Sequence, residues 1–311
     1  MARSASNALT ASASSASSPH EQGARLSIGD FHCHSTCSDG RLTPTQLVDL
    51  AASRGVRIFA LSDHDTLDGQ TEAAEAARQH PGFTLIPAVE LSCDVPGTEV
   101  HMLGLFVDVT NATLLAELER FRRGRVERAE KMVEALAGLG APIEWSRVQE
   151  IAGEASIGRP HVAHALLERG HVQTFEEAFD RFLGRNGPAY FEREKLTPHD
   201  AIALIRSAGG LPIFAHPSFT TDYEAVATDL AAHGLFGMEV FYKAYAPELV
   251  EELRALAERL GLFTSGGSDY HAIDRNDERM PGEIPLPDAV ALAMLERARA
   301  EGCRVPEPKT A

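Results

Sequence analysis

The sequence predicts an α/β fold, a seven-stranded (β/α) barrel carrying a helical cap insertion. Three observations predict it. Seven short strand-like runs recur along the 311 residues, and most are separated by helical patterns, as in a barrel of parallel strands. The third and fourth runs are joined by only about ten residues, including Pro96-Gly97, too few for a helical crossover and suited to a hairpin-like link. Residues 111–196 carry several helical patterns and no convincing strand.

Each element has a local reason. The opening run, with Leu26, Ile28 and Phe31, delivers His32 and His34 with Cys33 between them. On an extended strand the two imidazoles share one face and the thiol takes the other. Ser38-Asp39-Gly40 is a sharp turn that can bring the Asp39 carboxylate back toward them. Thr43-Pro44 caps and opens a helix with Leu47, Leu50 and Ala51 as its apolar stripe, and Gly55 ends it. The apolar run Val56 to Leu61 reads as a buried parallel strand and ends in Ser62-Asp63-His64-Asp65. A helix follows over Leu67 to Gln79, then a strand from Phe83 to Val89 that ends at Glu90. The fourth strand, Glu99 to Val107, carries His101. Beyond the insertion, Thr197-Pro198 caps a helix that stops at Gly209-Gly210, and the strand Leu211 to Ala215 ends at His216. A helix over Tyr223 to His233, a strand over Gly237 to Phe241, a helix over Pro247 to Leu260 and a strand over Leu262 to Ser265 lead to Gly267-Ser268-Asp269-Tyr270-His271. Ala289 to Glu301 closes the fold as a helix. The organisation expected is a Ser/Ala-rich disordered tail over 1–24, a discontinuous barrel over 25–110 and 197–302, and a cap over 111–196.

Composition narrows the class. The apolar fraction of 44% and charged fraction of 24% are those of a soluble globular protein. A net charge of −16 argues against holding nucleic acid by overall charge, so no stable nucleic-acid complex is expected. Four cysteines without a CxxC pair imply no disulfide framework and a reducing, cytoplasmic setting. No apolar run approaches the ~20 residues that span a bilayer.

The polar residues at strand ends are His32, His34, Asp39, His64, Glu90, His101, His216, Asp269 and His271. In a (β/α) barrel these ends form one rim, where sites are built. So many imidazoles and carboxylates on one rim need something cationic among them. Nitrogen and carboxylate oxygen without thiolate suit Mn²⁺, Fe²⁺ or Zn²⁺, and nine ligands exceed the four or so that one zinc takes. Two or three divalent ions are expected, with a carboxylate bridging two of them.

These residues carry a resemblance. FHCHSTCSDG, LSDHD, the pair Glu90 and His101, AHP and GSDYH resemble, in this order, the successive motifs of the PHP (polymerase and histidinol phosphatase) family, over about Ile28 to Ile273. The resemblance implies a distorted seven-stranded barrel with a trinuclear metal site. By motif, His32, His34, Glu90 and Asp269 would surround one ion, Glu90, His101 and His216 a second, and Asp39, His64 and His271 the third. The chain is far too short for a replicative polymerase. Gly158-Arg159-Pro160-His161 and Phe182-Leu183-Gly184-Arg185 in the insertion resemble bacterial nucleoside 3′,5′-bisphosphate phosphatases, a subfamily that includes enzymes trimming short RNAs from the 5′ end.

What this implies is hydrolysis of a phosphate ester, with Mn²⁺ the foremost cofactor and a small nucleotide or short RNA as substrate. Clustered divalent ions lower the pKa of bound water toward ~7 and clamp the oxygens of an in-line displacement at phosphorus. No Ser-His-Asp triad, GxSxG elbow or Gly-rich phosphate loop competes with that reading. A histidinol-phosphate phosphatase shares the chemistry but gives less reason for extra arginines in the cap, and a non-catalytic metal-binding module is the reading from another class. For substrate contacts the candidates are Arg159, His161, Arg185 and Lys195, which sit near glycines and prolines where a turn can aim them, arginine offering a planar fork to a second phosphate. The basic run Arg120 to Lys131 spreads over several helical faces and reads first as a solvated helix with local ion pairs. Phe179, Phe182 and Tyr190 could stack on a base, though core packing is the first reading.

Overall fold

Seven strands form one sheet in chain order: β1 (Gly29–Asp30), β2 (Ile58–Leu61), β3 (Thr84–Val95), β4 (Thr98–Leu105), β5 (Leu211–Ala215), β6 (Gly237–Tyr242) and β7 (Phe263–Gly267). The protein is seen in a computed structural model that describes residues 26–95, 98–153, 156–192, 196–243, 245–273 and 278–309. The expected tail 1–24, the Pro96-Gly97 link and the candidate Lys195 lie outside the described residues.

The first three strands are parallel, β4 is antiparallel to both neighbours, and β5 to β7 are parallel again. The short link therefore does make a hairpin, with Val95 opposite Thr98. Its consequence is a β3 longer than expected. The sequence reading ended that strand at Val89, because a Glu follows; in the structure the ladder runs on to Val95, since β4 supplies partners for every residue beyond Glu90. The ring closes between β1 and β7. The Phe31 N–H donates to the Gly266 carbonyl at 3.2 Å, and Asp269 N–H to the His32 carbonyl at 2.7 Å. Gly267 is required there: a Cβ on it would lie 2.2 Å from the His32 Cβ, so only a bare backbone lets the His32 strand approach so closely.

Around the sheet lie α1 (Pro44–Ser53), α2 (Gln70–Ala77), α7 (Pro198–Ser207), α8 (Tyr223–Ala232), α9 (Pro247–Leu260) and α10 (Asp288–Ala300). Thr43 caps α1 as expected, in a reciprocal box with Gln46. The helix expected from Leu67 starts only at Gln70, whose side-chain amide donates to the carbonyls of Leu61 and Ala88, both at 2.8 Å. Between β4 and α7 every described helix belongs to the insertion: α3 (Ala112–Gly138), α4 (Trp145–Ala152), α5 (Arg159–Glu168) and α6 (Phe175–Ala178), which runs into a π turn over Phe179–Leu183. The 27-residue α3 carries two sets of apolar residues. Leu114, Leu118 and Phe121 pack with the barrel core, while Ala129, Met132 and Leu136 pack with α4 to α6. One rigid helix thus ties the inserted helices to the barrel.

Candidate metal centre

The strands deliver the nine candidate residues to one mouth, with Glu90 at its centre. His32 and His34 follow β1, His64 follows β2, Glu90 and His101 face each other across β3 and β4, His216 follows β5, and Asp269 and His271 follow β7. Glu90 Oε2 lies 3.1 Å from His32 Nε2, 3.2 Å from His34 Nε2 and 3.0 Å from His64 Nδ1. Its other oxygen, Oε1, lies 2.8 Å from His101 Nδ1 and 3.2 Å from His216 Nε2. Asp269 Oδ1 lies 3.3 Å from His32 Nε2 and 3.1 Å from His34 Nε2. Asp39 Oδ1 is 3.2 Å from His271 Nε2, with His34 and His64 each 3.9 Å from a carboxylate oxygen. The expected alternation also holds: Cys33 is buried among Leu47, Val48 and Phe59 on the far side of the histidines, its Sγ 3.3 Å from Ser268 Oγ.

The donor set fits divalent cations. His32 Nε2, His34 Nδ1 and Nε2, Asp39 Oδ1, His64 Nδ1, Glu90 Oε2 and His216 Nδ1 are buried without a hydrogen-bond partner. Imidazole nitrogens and carboxylate oxygens crowded near 3 Å in a low-dielectric site call for a positive charge among them, a proton or a metal ion. At the mouth three clusters have ligand atoms within 4.8 Å of one another: His32, His34, Glu90 and Asp269; His64, Glu90 and His101; and His34, Asp39, His64 and His271. These differ from the expected partition in placing His64 and His34 in two groups each, and in leaving His216 out of all three, although its Nε2 lies 3.2 Å from Glu90 Oε1.

Charge in the mouth follows from burial and proximity. Burial alone would push Glu90 up, but His64, His32 and His101 outweigh it and hold the carboxyl well below the ordinary range. Asp269 is likewise held low, against its burial, by His32 and His271. Burial pulls His64 down to about 3, against the opposing pull of Glu90 and Asp39. His34 is desolvated too, yet Asp269 and Glu90 raise it to about 10. A histidine raised above its unfolded value near 6.5 contributes stability in full below that pH and loses it as pH rises toward the folded value. With cations chelated, the melting temperature should therefore fall between pH 7 and 8.5, by up to about 1.4 kcal/mol of stability per pH unit for one proton. Saturating Mn²⁺ should flatten that slope, because the ion replaces the proton; parallel slopes in thermal melts would contradict this.

Several residues that position the mouth went unread in the sequence. Glu239, fully buried in β6, lies 3.1 Å from His32 Nδ1 and accepts the His216 backbone N–H at 2.7 Å. It fixes which His32 nitrogen faces the mouth, as carboxylates behind metal-binding histidines do. A charge inside the otherwise apolar run Met238 to Phe241 was the available signal. Tyr242 donates to Asp269 Oδ2 at 2.7 Å, and Lys243 Nζ is 2.9 Å from the same oxygen. Asp63 accepts the Ser35 N–H at 2.7 Å and the Ser38 hydroxyl at 2.6 Å, pinning the turn that presents Asp39. Asp65, Lys243, His216 and Asp269 all have positive φ, between 30° and 52°, a backbone strain concentrated around the mouth.

Above the mouth a cavity of about 680 Å³ separates the barrel from the inserted helices. Asp39, Arg41, Lys243, Asp269 and His271 line it from the barrel side, and His161, His164, Phe175 and Phe179 from the other. Of the three expected substrate contacts among the described residues, Arg159, His161 and Arg185, only His161 lines this cavity. Its Nδ1 accepts the Gly158 N–H at 2.9 Å, and burial lowers its pKa. The Arg159 guanidinium lies instead over the rings of Phe179 and Tyr190, at 5.8 and 5.7 Å, and Arg185 faces Glu192 at 3.8 Å. Phe182 is buried in the core of the inserted helices, as first read, whereas Phe179 lines the cavity. In the basic run, Arg120 and Arg123 make the expected local pairs with Glu117 and Glu119, but Arg125 is buried against Asp65 of the barrel.

Known proteins share this chain's pattern. The PHP domain matches residues 30–123. A 3′,5′-nucleoside bisphosphate phosphatase of Chromobacterium violaceum is 34% identical over 253 residues, 78% of this chain and 87% of that one. A 5′-3′ exoribonuclease of Haemophilus influenzae is 35% identical over 246 residues, covering 78% and 89%. The solved structure of an amidohydrolase from Chromobacterium violaceum, with bound sulfate and no metal, superposes with a TM-score of 0.78 at 31% identity and covers 88% of this chain and 97% of that one. With the motifs in order, the hairpin-broken barrel and relatives matched over most of their length, the chain belongs to the PHP family.

Proposed function

We propose that the chain is a metal-dependent phosphoesterase that removes the 3′-phosphate of nucleoside 3′,5′-bisphosphates and trims short RNAs from the 5′ end. The observation that carries this is the convergence on Glu90 of histidine and carboxylate atoms left without hydrogen-bond partners, beside a cavity that Asp39, Asp269 and His271 of the mouth line together with Arg41, Lys243, Phe175 and Phe179. The relatives' names support the substrate, and a similar structure holds sulfate, an ion of phosphate's shape. All nine mouth residues would hold two or three ions, Mn²⁺ before Fe²⁺ or Zn²⁺, with Glu90 shared between them. Bound there, the ions supply Lewis acidity to the phosphoryl oxygens and acidify water.

The chain's own residues do the rest. Glu239 keeps His32 oriented, and Tyr242 and Lys243 hold the outer oxygen of Asp269. Lys243 and Arg41 offer positive charge to an anionic substrate along the cavity wall, while Phe175 and Phe179 offer an apolar face to a base. Residues 111–196 act as the cap that completes this cavity, with Arg159 buttressing Phe179. No cysteine nucleophile competes: the four cysteines are free, and burial pushes the Cys37 thiol up to about 11. Free thiols fit a cytoplasmic setting, and no described helix is long and apolar enough to cross a membrane.

Purified protein with Mn²⁺ should release phosphate from adenosine 3′,5′-bisphosphate, and a chelator should stop it. Histidinol phosphate should turn over at least about tenfold more slowly, because its single phosphate leaves the cationic wall unused. Absence of chelator-sensitive release from the bisphosphate and from 5′-phosphorylated short RNA would sink the proposal, and faster turnover of histidinol phosphate would shift it to that substrate.

A further inference from the structure

Away from the mouth, His199 of α7 meets Asp229 and His233 of α8 on the exposed face of the barrel helices. Each offers one ligand atom, and these atoms lie within 4.8 Å of one another. The three residues belong neither to the mouth clusters nor to the cavity wall. His199 Nε2 is 2.6 Å from Asp229 Oδ2, and the two imidazole rings lie 4.0 Å apart, tilted by 32°.

The decisive detail is His233. Its Nδ1 lies 2.7 Å from the backbone carbonyl oxygen of Asp229 and 3.5 Å from Asp229 Oδ1. A carbonyl only accepts, so Nδ1 carries the proton and the lone pair of the neutral ring sits on Nε2. Histidines that bind metals are fixed in this way, one ring N–H on a carbonyl and the other nitrogen presented to the ion. His233 also follows the last residue of α8, where the negative end of the helix dipole favours a cation.

We propose that His199, Asp229 and His233 form a second, mononuclear site for a borderline divalent cation such as Zn²⁺, which clips α7 to α8. Two imidazoles and one carboxylate are a zinc-type donor set, with ligand bonds of about 2.0–2.2 Å and water completing the shell. All three side chains are about half exposed, so they can close to those distances. The same donors hold Mn²⁺ more weakly than Zn²⁺, Ni²⁺ or Cu²⁺, so this site and the mouth prefer different ions.

The test does not depend on the reaction proposed for the mouth. Protein saturated with Mn²⁺ is titrated with Zn²⁺, desalted and analysed for zinc, alongside the double variant His199→Ala/His233→Ala. The variant should retain about one zinc ion fewer per chain, and its melting temperature should respond less to Zn²⁺. Its Mn²⁺-dependent phosphate release should match the wild type, which also reports that it folds. Should it misfold, Asp229→Asn keeps the shape and should weaken zinc binding at least about tenfold at this site. Equal zinc content and affinity in wild type and folded variants would overturn the assignment.

Discussion

Glu90→Gln should lower kcat by about a thousandfold or more, with metal content falling alongside it. Glu90 is fully buried, and its two oxygens divide the mouth: Oε2 faces His32, His34 and His64, and Oε1 faces His101 and His216. A glutamine keeps the volume but removes the negative charge and replaces one acceptor oxygen with an N–H₂ donor. That donor would point at histidine lone pairs which are themselves waiting for a cation, so the two halves of the mouth lose their common anchor together. The fold should survive. Removing a buried carboxylate also removes its desolvation cost, and the strand it sits on keeps its ladder to β4. Elemental analysis with steady-state kinetics checks both parts. A variant that keeps its full metal complement and a rate within about tenfold of wild type would show that Glu90 does not bridge the ions.

The mouth was readable in the sequence for a simple reason. A strand that runs apolar and stops at a histidine or acid announces its own end, as Val56 to Leu61 does before His64 and Leu211 to Ala215 before His216. Where the acid lies inside a strand, the same rule misleads. By that rule Glu90 reads as the end of β3, although the ladder continues to Val95, and Glu239, in the middle of β6, marks no end at all. Both are buried, and a buried charge is explained only by partners that arrive from distant parts of the chain, His101 across the hairpin and His32 across the closed barrel. The hairpin itself was readable because its cause is local: too few residues for a crossover. The roles of Arg125 and Arg159 were not: the arginines of one helix look alike from the sequence, an arginine beside a glycine and a proline can be aimed at a ligand or stacked on a ring, and only the packing of α3 and α5 decides.

Arg125→Ala should cost about 3–5 kcal/mol of stability, although Arg125 lies in what read as a solvated basic stretch. Its guanidinium donates through Nε at 3.0 Å, and through Nη2, to Asp65 Oδ2, and the pair is nearly solvent-free: 11% exposed for the arginine side chain and 0% for the aspartate. The other Asp65 oxygen accepts the Ser92 N–H at 3.1 Å. Removing the arginine takes the cationic partner from a carboxylate that has no access to water, which is the costly way to break a buried pair. The melting temperature should fall by roughly 5–15 °C. The effect should also reach the mouth. Asp65 follows His64 directly and holds a left-handed backbone, φ 52°, that a well-packed neighbourhood must enforce. Slackening there lets His64 drift from Glu90, so kcat should drop by about ten- to a hundredfold even at temperatures where the variant is folded. The double variant Arg125→Ala/Asp65→Asn separates the two effects. It removes the stranded charge and should recover much of the stability, while activity stays low because the latch between α3 and the His64 loop is still missing. A single variant that melts within about 1 °C of wild type would mean that Asp65 reaches water and that the inserted helices are not fastened to the barrel through this pair.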